Sequence, residues 1–362
     1  MNLSERGNAV TKELYIDKAL LRKNYGEVCR RLSGAHVMAV LTNNAYGMGL
    51  LPMARFWREA GIRRFGVGDP SDAALLRAEG FTQEELLLMR STAAPAEIDA
   101  LLDSNVIATV GSQEAALALS GIAEKRSAVA EAHIKIDCGL GRYGFLPGET
   151  DKIFNIFAYM QNIAVSGVYT HLPGGLSLKK AQACIVSFES VLTALREKNI
   201  ETGLVHALGS TALFKYPSLP QFDMVRVGAA MTGRISGKTG LSRVGVIAVP
   251  IADARWIPAG ERVAGMMKLR RPARIGLIPV GYASGVLVEK PSYAPLFGLT
   301  SSRRGYGHFR VRLETGEDAA VLGLIGRNHM AVDLTKSRAA VGMMAQVEVD
   351  PLYAGVLPRR IQ

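Results

Sequence analysis

Short apolar runs alternate with amphipathic stretches along the chain up to about residue 235. The runs are His36–Leu41, Arg64–Val67, Leu86–Met89, Val106–Val110, His133–Asp137, Val165–Thr170, Val205–Leu208 and Met224–Val227. Short continuous apolar runs are the pattern of strands buried on both faces. Between them, Ala19–Leu32, Leu51–Ala60, Ser71–Glu79, Pro95–Asp103, Gln113–Ala123 and Lys179–Lys198 place apolar residues at helical spacing. Eight strands alternating with helices predict an α/β fold of the (β/α)8 TIM-barrel type, with an open doubly wound sheet as the alternative. After about residue 240 the pattern changes. Val244–Ala252, Ile275–Pro279, Phe309–Leu313, Ala319–Ile325 and Ala345–Val349 are short strands split by Gly, Pro and charged turns, so a mainly-β domain follows. The expected division is a barrel over residues 1–238 and a β-domain over 239–362.

Composition narrows the class. A chain of 362 residues with 48% hydrophobic positions can bury a large core and suits two domains. No apolar run nears the ~18 residues of a membrane span. The N-terminus shows no apolar stretch of the secretory kind, which implies a cytoplasmic protein. Three cysteines, Cys29, Cys138 and Cys184, make no disulfide framework, and the six histidines show no metal-ligand spacing. The net charge is +11 and uneven: from residue 237 onward there are 18 Lys and Arg against 9 Asp and Glu. Arg270, Arg271, Arg274, Arg303, Arg304, Arg359 and Arg360 form this excess. It implies anionic partners. No nucleic-acid motif or aromatic interleaving accompanies it, so it reads as a solvated face or a funnel for small anions.

The polar motifs cluster at the C-terminal ends of the predicted barrel strands, where barrel enzymes place their active sites. The first strand leads into Ala39-Val-Leu-Thr-Asn-Asn-Ala-Tyr-Gly-Met-Gly49. A later strand opens His133-Ile-Lys-Ile-Asp-Cys-Gly-Leu-Gly-Arg-Tyr-Gly-Phe145. Its Gly139-x-Gly141-x-x-Gly144 spacing matches a dinucleotide fingerprint, but it falls in the middle of the βα series and not at a first strand. Cys138 reads as a buried thiol, with Lys135 and Arg142 as cations able to lower its pKa. Further on come Thr170-His171, His206-Ala-Leu-Gly-Ser210, Met224-Val-Arg226-Val-Gly228, Ile275-Gly-Leu-Ile-Pro-Val-Gly-Tyr-Ala-Ser-Gly285 and Gly326-Arg-Asn-His-Met-Ala331.

Together these strings resemble the alanine racemase family over nearly the whole length. The first is similar to the family's Ala-Val-x-Lys-x-Asn-Ala-Tyr-Gly-x-Gly, whose lysine holds pyridoxal phosphate as a Schiff base and serves as one of two catalytic bases. Here that position is Thr42. A hydroxyl cannot form an imine. The resemblance implies that Tyr46, Ser210 and the backbone amides near Gly228 and Ala229 hold the cofactor phosphate. It places Arg142 at the phenolic oxygen, His171 against the ring and Arg226 beside the pyridine nitrogen. Lys135, Tyr282 and Met330 match positions on the substrate side. It also implies a homodimer, and pairing of residues about 12–16 with the β-domain.

The chain departs from the family elsewhere. The second base is a tyrosine in the family; here the shortened stretch is Arg262-Val-Ala-Gly-Met-Met-Lys268, and no tyrosine occurs between residues 217 and 281. Gly209 replaces an asparagine, Ser284 and Ala331 replace aspartates, Gly355 falls where a tyrosine would meet phosphate, and His329 replaces a cysteine. The implied function is an amino-acid isomerase scaffold that binds pyridoxal phosphate or its amino-acid aldimine noncovalently, with two-base racemisation impaired. His329 is a candidate replacement base on this view, because an unperturbed imidazole titrates near ~6.5, with Cys138 a weaker candidate and a polar rim residue as the alternative reading of His329. The alternatives are a non-catalytic sensor, carrier or partner of an active paralogue, and a nucleic-acid-associated protein.

Overall fold

The computed structural model describes residues 12–263, 267–286, 309–355 and 357–362. Residues 264–266 of the shortened stretch, and Arg303 and Arg304, lie outside that set. The chain forms two compact units, Arg22–Ser242 and a second built from the N-terminus through Leu21 together with Arg243–Gln362.

A short strand β1 (Leu14–Ile16) belongs to the second unit. The barrel strands follow: β2 (His36–Val40), β3 (Arg64–Val67), β4 (Glu85–Ser91), β5 (Ile107–Val110), β6 (Ala130–Ile136), β7 (Ile163–Thr170), β8 (Leu204–Gly209) and β9 (Met224–Val227). They close into a parallel barrel, β9 pairing with β2 from His36↔Met224 to Ala39↔Val227. The closed parallel sheet bears out the barrel and excludes the open sheet. Helices connect the strands. Pro70 and Pro95 sit at the starts of Pro70–Ala78 and Pro95–Asp103, where the missing N–H costs nothing. Ser112 and Ser177 cap Gln113–Lys125 and Leu178–Glu197 with their side chains. The expected elements are observed within a few residues. Helices Thr150–Tyr159 and Ser210–Lys215 were not among them.

The barrel interior is layered. Met38, Leu87, Ile107 and Met224 pack into an apolar cluster. Two residues beyond Met224, on the same face of β9, stands the buried Arg226. Buried His133, Lys135, Tyr169 and His206 join it from β6, β7 and β8. The interior thus turns from apolar to polar toward the C-terminal ends of the strands.

The second unit holds β10 (Val246–Pro250), β11 (Asp253–Ile257), β12 (Arg262–Val263), β13 (Met267–Lys268), β14 (Ala273–Ile278), β15 (Arg310–Leu313), β16 (Asp318–Leu322), β17 (Met330–Asp333), β18 (Met344–Glu348) and β19 (Arg359–Ile361). Nine strands form one sheet in the order β11-β14-β17-β16-β15-β18-β10-β1-β19, so β1 lies between β10 and β19. Strands β11 and β19 are its edges, and their sequences, DARWI and RRI, are too polar to read as buried strands.

Candidate ligand site at the barrel mouth

The turn after β2 is left-handed. Asn43, Asn44 and Ala45 have φ/ψ near the left-handed helix (54/53, 54/47 and 52/55), and Tyr46 continues at φ 56. Four successive non-glycine residues there are expensive, at roughly 1–2 kcal/mol each for ordinary side chains. The two asparagines lower the cost, and the Asn44 Oδ1 accepts the Leu50 N–H at 2.7 Å. Such strain persists only where the surroundings dictate it, which is typical of ligand sites. Thr42 opens the turn, and Tyr46 closes it.

Arg226 organises the interior. Its Nη1 lies 2.5 Å from the His206 Nδ1. Its Nη2 donates to the carbonyls of Thr170 (2.7 Å) and Ala207 (2.9 Å) and lies 3.1 Å from the His171 Nδ1. Among the described residues its buried Nε has no partner. Arginine only donates, so the His206 Nδ1 accepts and its Nε2 carries the proton. That proton goes to the His133 Nδ1, 3.0 Å away. Tyr169 stacks on His206 with ring centroids 4.6 Å apart and donates to Thr109, whose own hydroxyl goes to the Leu88 carbonyl. Burial first, then the Arg226 charge, holds the imidazoles neutral: His133 falls to about 4, His171 to about 3 and His206 well below its usual value. Arg226 itself is drawn down to about 10 by burial.

Positive charge collects here. Lys135 is buried and forms no ion pair among the described residues. Burial, then Arg142 and Arg226, pulls its ammonium down to about 8. The Asp137 carboxylate is occupied by the backbone N–H groups of Gly139, Leu140 and Arg142 at 2.7–3.0 Å. Arg142 is exposed on this loop. The loop folds back on β6 through Phe145 N–H to the Lys135 carbonyl, and the next helix begins only at Thr150, so the glycine spacing is no dinucleotide turn. Cys138 is buried as expected, and the lowering by Lys135 and Arg142 is not seen: burial pushes its thiol up to about 11, against a hydrogen bond from the Thr170 side chain.

Ser210 and Gly228 meet nearby, the Gly228 N–H donating to the buried Ser210 Oγ at 3.0 Å. Ala229 begins the short 3-10 turn Ala229–Thr232. The Tyr46 ring presses on Gly228: a Cβ there would lie 2.3 Å from the Tyr46 Cε2. The Tyr46 phenol is held above its usual pKa by burial, against hydrogen bonds from the Thr42 side chain and the Ala229 backbone. A Cβ at Gly209 would come within 3.1 Å of the His171 Cε1, so glycine leaves that imidazole its room.

Tyr282, His329 and Met330 belong to the β-unit. Tyr282 is exposed, its N–H donating to the Gly326 carbonyl at 3.0 Å. Met330 is fully buried in β17, paired with Ile278. His329 is exposed beside a cavity of about 170 Å³ that it lines with Asp253, Arg255 and Arg262. The sequence reading missed the roles of His133, His206 and Tyr169. Their signal was inward-facing polar residues on strands otherwise apolar.

A closed eight-stranded parallel barrel whose interior carries Lys135 and Arg226, followed by a β-sheet unit, defines the class as a two-unit (β/α)8-barrel protein. The chain belongs to the alanine racemase family: the family described as "Alanine racemase, N-terminal domain" matches residues 16–235. Alanine racemase of Carboxydothermus hydrogenoformans is 31% identical over 277 residues, covering 73% of this chain and 74% of that one. Alanine racemase of Halothermothrix orenii is 29% identical over 280 residues, covering 75% and 73%. The fold matches alanine racemase from D-cycloserine-producing Streptomyces lavendulae at a TM-score of 0.82, with 23% identity and 98% of each chain covered. Alanine racemase from Streptomyces coelicolor A3(2) gives 0.80 at 24% identity, covering 97% of this chain and 98% of that one. The family depends on pyridoxal phosphate. Among the described residues no group of His, Cys, Asp and Glu is arranged to hold a metal, and no helix is long and apolar enough to cross a membrane.

Proposed function

We propose that this chain binds pyridoxal phosphate, alone or already joined to an amino acid, without a covalent bond from residue 42, and that its alanine-racemase-type chemistry is impaired. The observation that carries the binding is the Arg226 Nε, a buried donor with no partner among the described residues. A buried donor left unpaired costs about 1–3 kcal/mol, which a ring-nitrogen acceptor would recover. The donor set fits the rest of the cofactor. Lys135, Arg142 and Arg226 supply positive charge for an anionic ring substituent and a carboxylate, and Ser210, Gly228 and Ala229, edged by Tyr46, form the phosphate end. When bound, the cofactor supplies an electron sink that acidifies the Cα–H of an attached amino acid. Arg226 keeps a positive charge at the ring nitrogen and holds no spare proton for it. His171, neutral, would pack beside the ring.

The chemistry lacks its proton carriers. Thr42 has a hydroxyl where a lysine amine would both attach the ring and accept a proton. His329, exposed in the β-unit, is the proposed replacement base; turnover that survives His329→Ala removes it from that role. Lys135, Tyr282 and Met330 remain the proposed contacts of the amino acid. We further propose that the chain works as a cytoplasmic homodimer. The second reading is a non-catalytic sensor, carrier or paralogue partner, favoured by the absence of any tyrosine between residues 217 and 281. Alanine turnover separates the two: racemisation within about tenfold of the usual ~10 per second contradicts the impaired chemistry.

A further inference from the structure

The basic excess downstream of residue 237 divides into arginines that hold the fold and cations that do not. Arg274 is of the first kind. Its N–H donates to the Thr335 Oγ1 at 3.1 Å, its Nη1 donates to the Ser337 carbonyl at 3.3 Å, and its carbonyl accepts the Leu334 N–H at 2.8 Å. Arg312 is another, lying 3.0 Å from the Asp318 Oδ1 and donating to the Gly316 carbonyl at 2.6 Å. Arg270, Arg271, Arg310 and Lys336 are of the second kind. All four are exposed, and among the described residues none has an ion pair or a side-chain hydrogen bond.

These four line one cavity of about 670 Å³ in the β-unit. Met267, Leu269, Ala273, Leu313 and Leu322 supply its apolar lining. Arg310 stands opposite Ala320 in the β15–β16 pair, where a small side chain leaves the guanidinium room. The loops that carry the other three are fixed in advance. Leu269, just before Arg270 and Arg271, bonds Gly260 and Glu261 through its carbonyl and its N–H at 2.8 and 2.9 Å. The Arg274 bonds tie the turn with Lys336 to the start of β14. Asp318 lines the cavity but is paired with Arg312, which leaves Glu317 and Asp333 against four cations. Like charges around one concavity repel, and these make no contact that holds the fold; a bound anion relieves the repulsion.

We propose that this cavity is a second ligand site, which takes a nucleotide-sized organic polyphosphate. Its volume lies within the range of about 300–1,000 Å³ usual for small-molecule sites. Guanidinium forks match phosphate oxygens in shape and charge. The apolar lining takes the ring body of such a ligand, and Glu317 and Asp333 accept from its N–H or O–H groups. Bare phosphate gains nothing from the apolar lining and is repelled by the two carboxylates. A nucleic-acid strand is matched by a continuous basic groove with stacking aromatics; here carboxylates interrupt the cations, and no aromatic side chain is among the described lining residues.

The test measures binding of ATP, inorganic phosphate and a short oligouridylate to the full chain by calorimetry. The proteins are the parent, the paired variant Arg271→Gln/Lys336→Gln, and Ala320→Glu. The paired variant deletes two charges at exposed positions, and Ala320→Glu sets a carboxylate opposite Arg310. Expected is one ATP per chain, bound at least about tenfold tighter than inorganic phosphate, and weakened at least about tenfold in each variant, the worth of one charged hydrogen bond or more. Urea unfolding checks that each variant is folded, and the paired variant carries the test if Ala320→Glu is not. No binding of ATP by the parent overturns the proposal, as does ATP affinity that stays within about threefold in the folded variants, which would put the nucleotide elsewhere on the chain. Equal binding of inorganic phosphate overturns it by removing the role of the apolar lining. Tighter binding of the oligouridylate, lost in the same variants, overturns it by assigning the face to nucleic acid. No pyridoxal compound enters the test, so each of these outcomes leaves the reading of the barrel mouth standing.

Discussion

At the scale of single residues, Arg226 is the position where fold and site are least separable. One guanidinium serves His206, His171 and two backbone carbonyls from inside the barrel, and among the described residues no carboxylate offsets its charge. A lysine has one nitrogen and cannot reach four acceptors spread around a planar fork. Arg226→Lys is therefore expected to destabilise the unliganded protein by about 2–4 kcal/mol, read from urea unfolding. A change below about 0.5 kcal/mol would show that the acceptors find other partners. The position of this residue was legible beforehand, since Val225-Arg226-Val227-Gly228 sits at the end of a strand, but its partners inside the barrel were not. The unpartnered Nε was not legible, because it depends on where the other nitrogens find their acceptors. Cys138 shows the same limit from the other side: the sequence placed a buried thiol near Lys135 and Arg142, but only the structure shows that burial sets the direction of its pKa.

At the scale of elements, strands and helices followed their periods and the turn after β2 did not. Asn-Asn-Ala-Tyr has no alternation to read, and nothing in the pattern announces four left-handed residues. The turn aims Tyr46 at Gly228 and leaves Thr42 beside it. Asn44→Ala tests its cost. The variant loses the acceptor for the Leu50 N–H and puts alanine at φ 54. The expected loss is about 1–3 kcal/mol in thermal or urea unfolding, whereas an unchanged midpoint would mean the turn relaxes to another conformation. The edge strands β11 and β19 were missed for a different reason, since edge positions tolerate the charged residues that argue against a buried strand.

At the scale of the molecule, the barrel's inward-facing imidazoles, buried at His133 and His206 and half-buried at His171, set its acid limit. His133, His171 and His206 are neutral when folded, with pKa values held below the unfolded ~6.5. The unfolded chain thus binds more protons in that window, so stability is present above pH ~6.5 and is lost as pH falls toward the folded values. Each imidazole is expected to cost about 2 kcal/mol between pH 7 and pH 5, measured by urea unfolding of the barrel at both values. Equal stability at the two values would contradict the buried neutral chain from Arg226 to His133. Assembly is tested separately by light scattering at micromolar concentration, which should return twice the 38.9 kDa chain mass; a monomer would rule out the proposed homodimer.

The central claim is a pyridoxal phosphate site that holds its ligand without a lysine bond. Titration of the purified chain with pyridoxal phosphate, followed by absorbance, dialysis, and borohydride reduction with peptide mapping, tests it most directly. The expected result is a saturable one-to-one spectral change that dialysis reverses, with no stoichiometric adduct on Lys135, the buried lysine of the barrel interior. No saturable change, or a stoichiometric adduct on that one lysine, would contradict it.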